Sequence, residues 1–316
     1  MESNGKAVSP KKKKVRRAHF KLFGKSYGVN DTVVGVSFFL PALILGSIFV
    51  IAPMLISLGY AFTDAKLLSL NNVHWAGFRQ FALLFKDKIM WKAFGNSMEF
   101  VVKVVPLQLC ASLGLALILN TKIRGNTFFR WAFFVPVMLS LAVTSMLWMN
   151  LFNEQDGLIN SIFEFFGLQR QKFLKDPDQA LDIIVFISAW QGAGYQMLIF
   201  LSALKNIPRD IYEAADLDGA NKLQVFWHIT LPSIKETFSF VLVTMLIGAF
   251  RLITQPMIMT QGGPINSTIT MSYYIYKQGV DFRDVGYSSA IAFFYTIVMA
   301  TVALTIRRLF GKDNTL

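Results

Sequence analysis

The chain predicts an all-α membrane protein with six transmembrane helices, and three observations carry the prediction. Only 16% of its 316 residues are charged and 54% are hydrophobic, whereas soluble domains carry nearer about a quarter charged residues. Its 30 Phe, 6 Trp and 9 Tyr exceed what a single aqueous core of this size takes. Six apolar stretches, at 33–62, 94–119, 130–152, 183–204, 238–259 and 285–306, each reach the length of about 20 residues that crosses a hydrocarbon layer of about 30 Å.

The first stretch is longer than a straight crossing and contains Pro41 and Pro53. Each proline removes a helical amide hydrogen, so a tilt, a kink or an extension is expected there. The stretch starts too late and runs too long for a signal-peptide core, and it is expected to stay uncleaved. Before it lies a basic tail, 1–32, with Lys11, Lys12, Lys13, Lys14, Arg16 and Arg17 in one block. The net charge of +12 therefore reads as positive-inside topology rather than a nucleic-acid surface or a nuclear import signal. Lys122, Arg124 and Arg130 after the second span, and Lys205, Arg209, Lys222 and Lys235 after the fourth, fall on the tail's side, as do Arg307, Arg308 and Lys312. Both termini are thus expected in the cytoplasm, with 63–93, 153–182 and 260–284 outside. The organisation expected is a cytoplasmic tail over 1–32, a six-helix domain over 33–306 with a cytoplasmic loop at 205–236, and a second tail over 307–316.

That loop is written in helix grammar. Pro208 suits a first helical position, Gly219 can close the helix by turning left-handed, and Asn221 can cap a second helix running to Trp227 and His228, with Pro232 marking the start of the fifth span. Ile211, Ala214, Ala215 and Asp218 recur on one face, with small side chains that admit close approach. Inside the spans, polar residues are costly and by default face a cavity or one another. Ser188, Gln191, Tyr195 and Ser202 form one stripe, and Thr237, Thr244, Gly248, Arg251 and Gln255 another. Trp190, Gln191, Tyr195, Thr244, Arg251 and Gln255 together offer donors, acceptors and aromatic faces of the kind a sugar ring needs. Read blandly, the same residues glue helices together in lipid. Lys103 is placed to snorkel to the outer interface.

Other chemistry is missing. Cys110 stands alone, so thiols can build neither a disulfide nor a metal cluster. His19, His74 and His228 lie in separate segments. Gly24-Lys25-Ser26 mimics the end of a phosphate-binding loop, but His19 stands where the first glycine is required. No catalytic or metal-binding set is expected on this chain.

Within the loop, Glu213, Ala214 and Ala215 are followed by Gly219 after three residues and by Ile229, Leu231 and Pro232 after nine more. This resembles the EAA signature of the permease subunits of binding-protein-dependent ABC importers, and Asp218 agrees with their Asp-Gly-Ala form. The resemblance implies a type I, maltose-permease-like fold. It makes the loop a coupling helix that docks into a groove on an ATPase subunit through Glu213, Ala214, Ala215, Asp218 and Gly219. Thr260, Gly262, Gly263, Pro264, Thr268, Tyr274, Ile275, Tyr276, Gly286, Tyr287 and Ala290 further resemble the carbohydrate branch, which includes maltose, multiple-sugar and glycerol-phosphate permeases. The implied partners are a second, paralogous permease, two ATPase subunits holding ATP and Mg, an external solute-binding protein, the bilayer and a carbohydrate. No cofactor is expected on this chain, and the implied location is the bacterial or archaeal inner membrane. The residues alone also leave open a permease for glycerol phosphate or another small polar solute, an ion-coupled secondary transporter, and a scaffold that transports nothing.

Overall fold

The computed structural model describes residues 19–22, 25–28, 31–70, 72–121 and 124–310. The basic block at 11–17 and the end of the C-terminal tail lie outside the described residues. The chain divides into two units, Met1–Gly59 and Tyr60–Leu316.

The first unit begins with an antiparallel hairpin, β1 (His19–Leu22) and β2 (Lys25–Gly28), in which His19 pairs with Gly28 and Leu22 with Lys25. The hairpin is a local feature of the tail outside the six-helix domain, and its reason is local: His-Phe-Lys-Leu alternates polar and apolar residues with the period of a strand. The first span then runs through α1 (Asp31–Gly46) and α2 (Ala52–Tyr60). Between them lies a π-helical turn, Ser47–Ile51, next to Pro53, which has no amide hydrogen to return to the preceding turn. Val36–Tyr60 is apolar all round, as a lipid-facing helix should be.

In the second unit α3 (Arg79–Lys86) leads into α4 (Lys88–Asn120), which Asp87 caps by accepting from the amides of Ile89 and Met90. After α5 (Asn126–Met138), α6 (Leu141–Leu151) and the outer helix α7 (Leu158–Phe165) comes α8 (Ala180–Lys205). The approach of neighbouring helices to α8 depends on its glycines. A Cβ on Gly194 would stand 2.1 Å from the Phe133 carbonyl of α5, and one on Gly192 would stand 2.2 Å from the Gln108 amide of α4. Cys110 is exposed on α4. Lys103 pairs with Glu99 at 2.7 Å and with Asp182 of α8 at 2.6 Å, joining two helices rather than only snorkelling.

Two spans are broken. α5 and α6 meet at 99° across Leu139 and Ser140, so the stretch 130–152 is not one straight helix. The cytoplasmic helices α9 (Arg209–Leu217), α10 (Lys222–Val225) and α11 (Leu231–Ser233) precede α12 (Lys235–Phe250), and the segment Lys222–Ser233 meets α12 at 75°. α12 stops at Phe250 and the helix resumes only at Thr254, so 238–259 is interrupted near its middle. After α13 (Met271–Tyr276), α14 (Val285–Phe310) is the last described helix.

The three segments expected outside meet at one end. Lys66 pairs with Asp284, Tyr274 donates to Asp87, and Asn153, Glu154 and Lys175 share a cleft with Thr260, Gln261, Gly263 and Pro264. At the other end Leu119, Leu204, Ile207 and Ile234 form one core with Tyr212 and Phe226 of the 205–236 loop packed against it.

Candidate functional site

A cavity of about 390 Å³ lies where α4, the α5–α6 bend, α8 and the break in the fifth span converge. Gln191, Tyr195, Thr244, Arg251 and Gln255 all line it, together with Ser188 and Gly248. Trp190 does not. One residue from Gln191 is about 100° around a helix, and that turn sends the indole into an apolar groove with Phe186, Ala189 and Gly194, where it packs edge-on against Trp148 at 5.3 Å. Thr237 and Ser202 also fall outside the lining.

The lining is internally bonded except at a few atoms. Gln191 is 6% exposed, and its Nε2 donates to the Leu139 carbonyl at 3.1 Å and to Thr144 Oγ1 at 3.2 Å. That first bond satisfies an acceptor freed by the 99° bend. Its Oε1 is buried with no donor among the described residues, an arrangement that is rare unless a ligand or water completes it. Gln255 Nε2 donates to Ser188 Oγ at 3.3 Å. Gln108 and Gln196 were missed by a reading confined to two helical stripes, yet they line the same cavity and bond to each other at 3.0 Å.

Ending α12 at membrane depth frees backbone carbonyls that no water would reach. Side chains from the next segment take them. Phe250 O accepts from Ser272 Oγ at 3.0 Å and from Tyr295 Oη at 2.8 Å, while Leu252 O accepts from Thr270 Oγ1 at 2.6 Å. Much of 260–284 is therefore packed into the bundle rather than lying as an outer loop. Thr268, Ile269, Thr270 and Met271 are buried, and Asn96 of α4 donates to the carbonyls of Asn266 and Ile269 at 2.8 Å.

The Gly262-Gly263-Pro264 turn is held by this same segment. Gly262 has φ +83° and the Gly263–Pro264 peptide is cis. Thr268 donates to Gly263 O at 2.9 Å and meets Thr260 Oγ1 at 2.6 Å. Gly286 lies against Thr63, where a Cβ would come within 2.4 Å of the carbonyl. Tyr274 and Tyr287 both donate to Asp87 Oδ2, the latter at 2.6 Å, and Gln278 donates to the Tyr274 oxygen at 2.7 Å. Burial would raise the Asp87 carboxyl, but the bonds from Tyr274, Tyr287 and the Met90 and Ile89 amides outweigh it, holding the group below the usual carboxylate range. Burial first, then the Asp87 carboxylate, push the Tyr274 phenol well above its ordinary value.

At the opposite end the glycine corner is a Schellman turn. Gly219 has φ +75°, Ala220 N donates to Ala215 O at 3.0 Å, and Gly219 N donates to Asp216 O at 3.1 Å. Pro208 sits at the N-cap of α9, one residue before the expected first helical position. Asn221 and Gln224 form a capping box on α10. The second helix outruns its expected end at His228: a π-helical turn, Phe226–Thr230, carries it past Pro232 to Ser233. Leu231 and Pro232 belong to that rod, and Ile229 to the π turn. Of the four residues expected on one approachable face, Ala215 is buried against the protein itself, whereas Ile211, Ala214 and Asp218 are exposed with Glu213 and Gly219. Leu217 is 90% exposed and Leu223 67%, leaving apolar side chains uncovered beside the corner. Tyr212 bonds to Thr230 at 3.2 Å and ties the two helices together. No group of three or more metal-ligating side chains occurs among the described residues.

The chain is similar to known proteins. Residues 108–314 match the family described as the binding-protein-dependent transport system inner membrane component. The probable ABC transporter permease protein YurN of Bacillus subtilis is 35% identical over 245 residues, covering 75% of this chain and 84% of its own. The lactose transport system permease protein LacF of Rhizobium radiobacter is 33% identical, covering 90% and 94%. The sulfoquinovosyl glycerol transport system permease protein SmoG of Agrobacterium fabrum is 30% identical, covering 90% and 93%. A chain from a bacterial ABC transporter that imports the acidic polysaccharide alginate superposes with a TM-score of 0.79 at 24% identity, over 90% of this chain and 96% of that one. The chain belongs to the family of binding-protein-dependent transport system inner membrane components.

Proposed function

We propose that this chain forms half of the translocation pathway of an ATP-driven importer of a carbohydrate, delivered by an external binding protein. A second permease completes the pathway, and two ATPase subunits supply the hydrolysis that this chain does not perform. The observation that carries the reading is the cavity: its volume of about 390 Å³ falls in the range of about 300–1,000 Å³ for small-molecule sites, and nine polar side chains line it at a break in a membrane helix. Broken helices at the midplane are where transporters bind their cargo. The relatives named for lactose and for sulfoquinovosyl glycerol support a carbohydrate cargo, and positive-inside charge supports cytoplasmic termini.

The corner at Gly219 is the ATPase-facing element, presenting Glu213, Ala214, Asp218 and Gly219. ATP-driven closure of the ATPase pair pulls on this corner and turns α12, opening the cavity outward. Reconstitution into liposomes with and without the ATPase subunits tests the scheme: sugar uptake should need both ATP and those subunits. Uptake driven by an ion gradient in their absence would overturn it.

A further inference from the structure

The cavity is unbalanced in charge. Arg251 lines it and is exposed, while no Asp or Glu is among the described residues of its lining. The guanidinium makes no hydrogen bond or ion pair with any described residue, although its backbone amide closes the last turn of α12 onto Gly248. Acids on the surrounding helices are either occupied or distant. Glu99 on α4 and Asp182 on α8 are both held by Lys103, and Glu236 sits in the first turn of α12, about four helical turns away.

Capping the end of α12 does not explain the residue either. An arginine there could solvate the last carbonyls, but Phe250 O and Leu252 O are already taken by Ser272, Tyr295 and Thr270. What remains is a permanent cation, uncompensated by this subunit, at a helix break inside the membrane, where such a charge is costly and marks a functional contact. Its fork of donors matches a carboxylate, phosphate or sulfonate. In the same cavity Gln108, Gln196 and Tyr195 are not fully buried, and their polar groups suit the hydroxyls of a solute.

We infer that the transported solute carries an anionic group, bound by Arg251, on a polyhydroxylated body whose hydroxyls meet the polar lining of the cavity. This rests on the importer reading above and narrows its cargo from carbohydrates in general to acidic saccharides or polyol phosphates.

The test uses the whole transporter in nucleotide-free nanodiscs, with binding followed by saturation-transfer NMR. The probes are digalacturonate, its neutral counterpart galactobiose, glycerol 3-phosphate and inorganic phosphate. At least one of digalacturonate and glycerol 3-phosphate should bind about tenfold more tightly than galactobiose, the factor of one charge-assisted bond, and which of them does so assigns the anion's source. Arg251→Gln should erase that preference while weak galactobiose binding persists, which shows the cavity intact, and Arg251→Lys should keep part of it. Galactobiose binding as tightly as both anionic probes, or an undiminished preference in Arg251→Gln, overturns the anionic assignment and leaves the carbohydrate reading standing. Phosphate matching glycerol 3-phosphate overturns the role given to the hydroxyls. If no polyhydroxylated probe binds, the carbohydrate reading falls as well.

Discussion

Replacing Gly219 by Val isolates the geometry of the cytoplasmic corner from everything else in the chain. The residue has φ +75°, a conformation that costs an L residue roughly 1–2 kcal/mol and a β-branched one more. A Cβ built on it meets nothing within 4 Å, so the substitution adds strain without a clash inside this subunit. That strain is small beside the packing of α4, α8 and α12, and the variant should insert and assemble normally. Relief comes only by relaxing φ, which breaks the two bonds of the Schellman turn and swings α9 away from α10. Transport and ATP hydrolysis are then measured together in proteoliposomes carrying the full complex. Gly219→Val is expected to lose most uptake while hydrolysis continues. Gly219→Asn, which tolerates the left-handed conformation, should retain more coupling despite its larger side chain. Wild-type uptake in the valine variant would refute the assignment of the corner to coupling, and equal losses in both variants would trace the effect to bulk in a partner's groove instead.

Other positions give independent tests. Asn160 is fully buried in the outer segment, accepting from Gln171 N at 2.9 Å and donating to the carbonyls of Glu154 and Gln171 at 3.0 Å. Asn160→Ala should cost about 2–4 kcal/mol locally, since several buried groups lose their partner at once, and hydrogen exchange over 153–179 should rise accordingly; unchanged protection would argue against the staple. Asp87 is held below its ordinary value, so its stabilising effect is complete above the unfolded carboxylate value of about 3.9 and is lost as pH falls through the lower folded value. The melting temperature of purified wild type relative to Asp87→Asn should therefore converge in acid, and a constant difference down to about pH 2 would contradict the Tyr274–Asp87–Tyr287 arrangement. At the break in the fifth span, Thr270→Val strands the Leu252 carbonyl, and Tyr295→Phe removes one of the two donors to the Phe250 carbonyl. Each should lower stability by about 1–3 kcal/mol, read as a drop in melting temperature, and a wild-type melt in both would deny those bonds their role.

The long helices were legible because hydropathy reports burial in lipid directly. The span expected over 285–306 coincides with Val285–Ile306, and that over 183–204 lies within Ala180–Lys205. The Gly219 corner and the Asn221 cap were legible for a different reason: each is decided by one residue's own backbone or side-chain chemistry. Breaks were not. Averaged hydropathy has no sense of direction, so the 99° bend at Leu139 and Ser140 looks like a continuous run. The burial of 268–274 was hidden because Thr268, Thr270 and Tyr274 read as polar loop residues until their carbonyl and carboxylate partners are known. Trp190 was misplaced by its neighbour, for adjacency in sequence separates two side chains on a helix. Gln108 and Gln196 escaped because their partner is each other, a relation no single-helix stripe contains.

The break in the fifth span links the two ends of the molecule. Its carbonyls are held by Thr270, Ser272 and Tyr295, and the first two belong to the segment that carries the Gly262-Gly263-Pro264 turn and docks on Asp87 through Tyr274. α12 thus has a joint at each end: the 75° bend beside the Tyr212–Thr230 contact, and the hydroxyl-bonded break beside Arg251. A helix of 16 residues bends little over its length, so in the proposed coupling a rotation carried across the 75° joint would reach Arg251. The carbonyls at the far joint must stay bonded throughout, because water cannot replace their donors in the hydrocarbon layer. In the proposed coupling, either 270–272 travels with α12 or the hydroxyls exchange partners as it turns; both would link the outer segment to the cytoplasmic corner through α12.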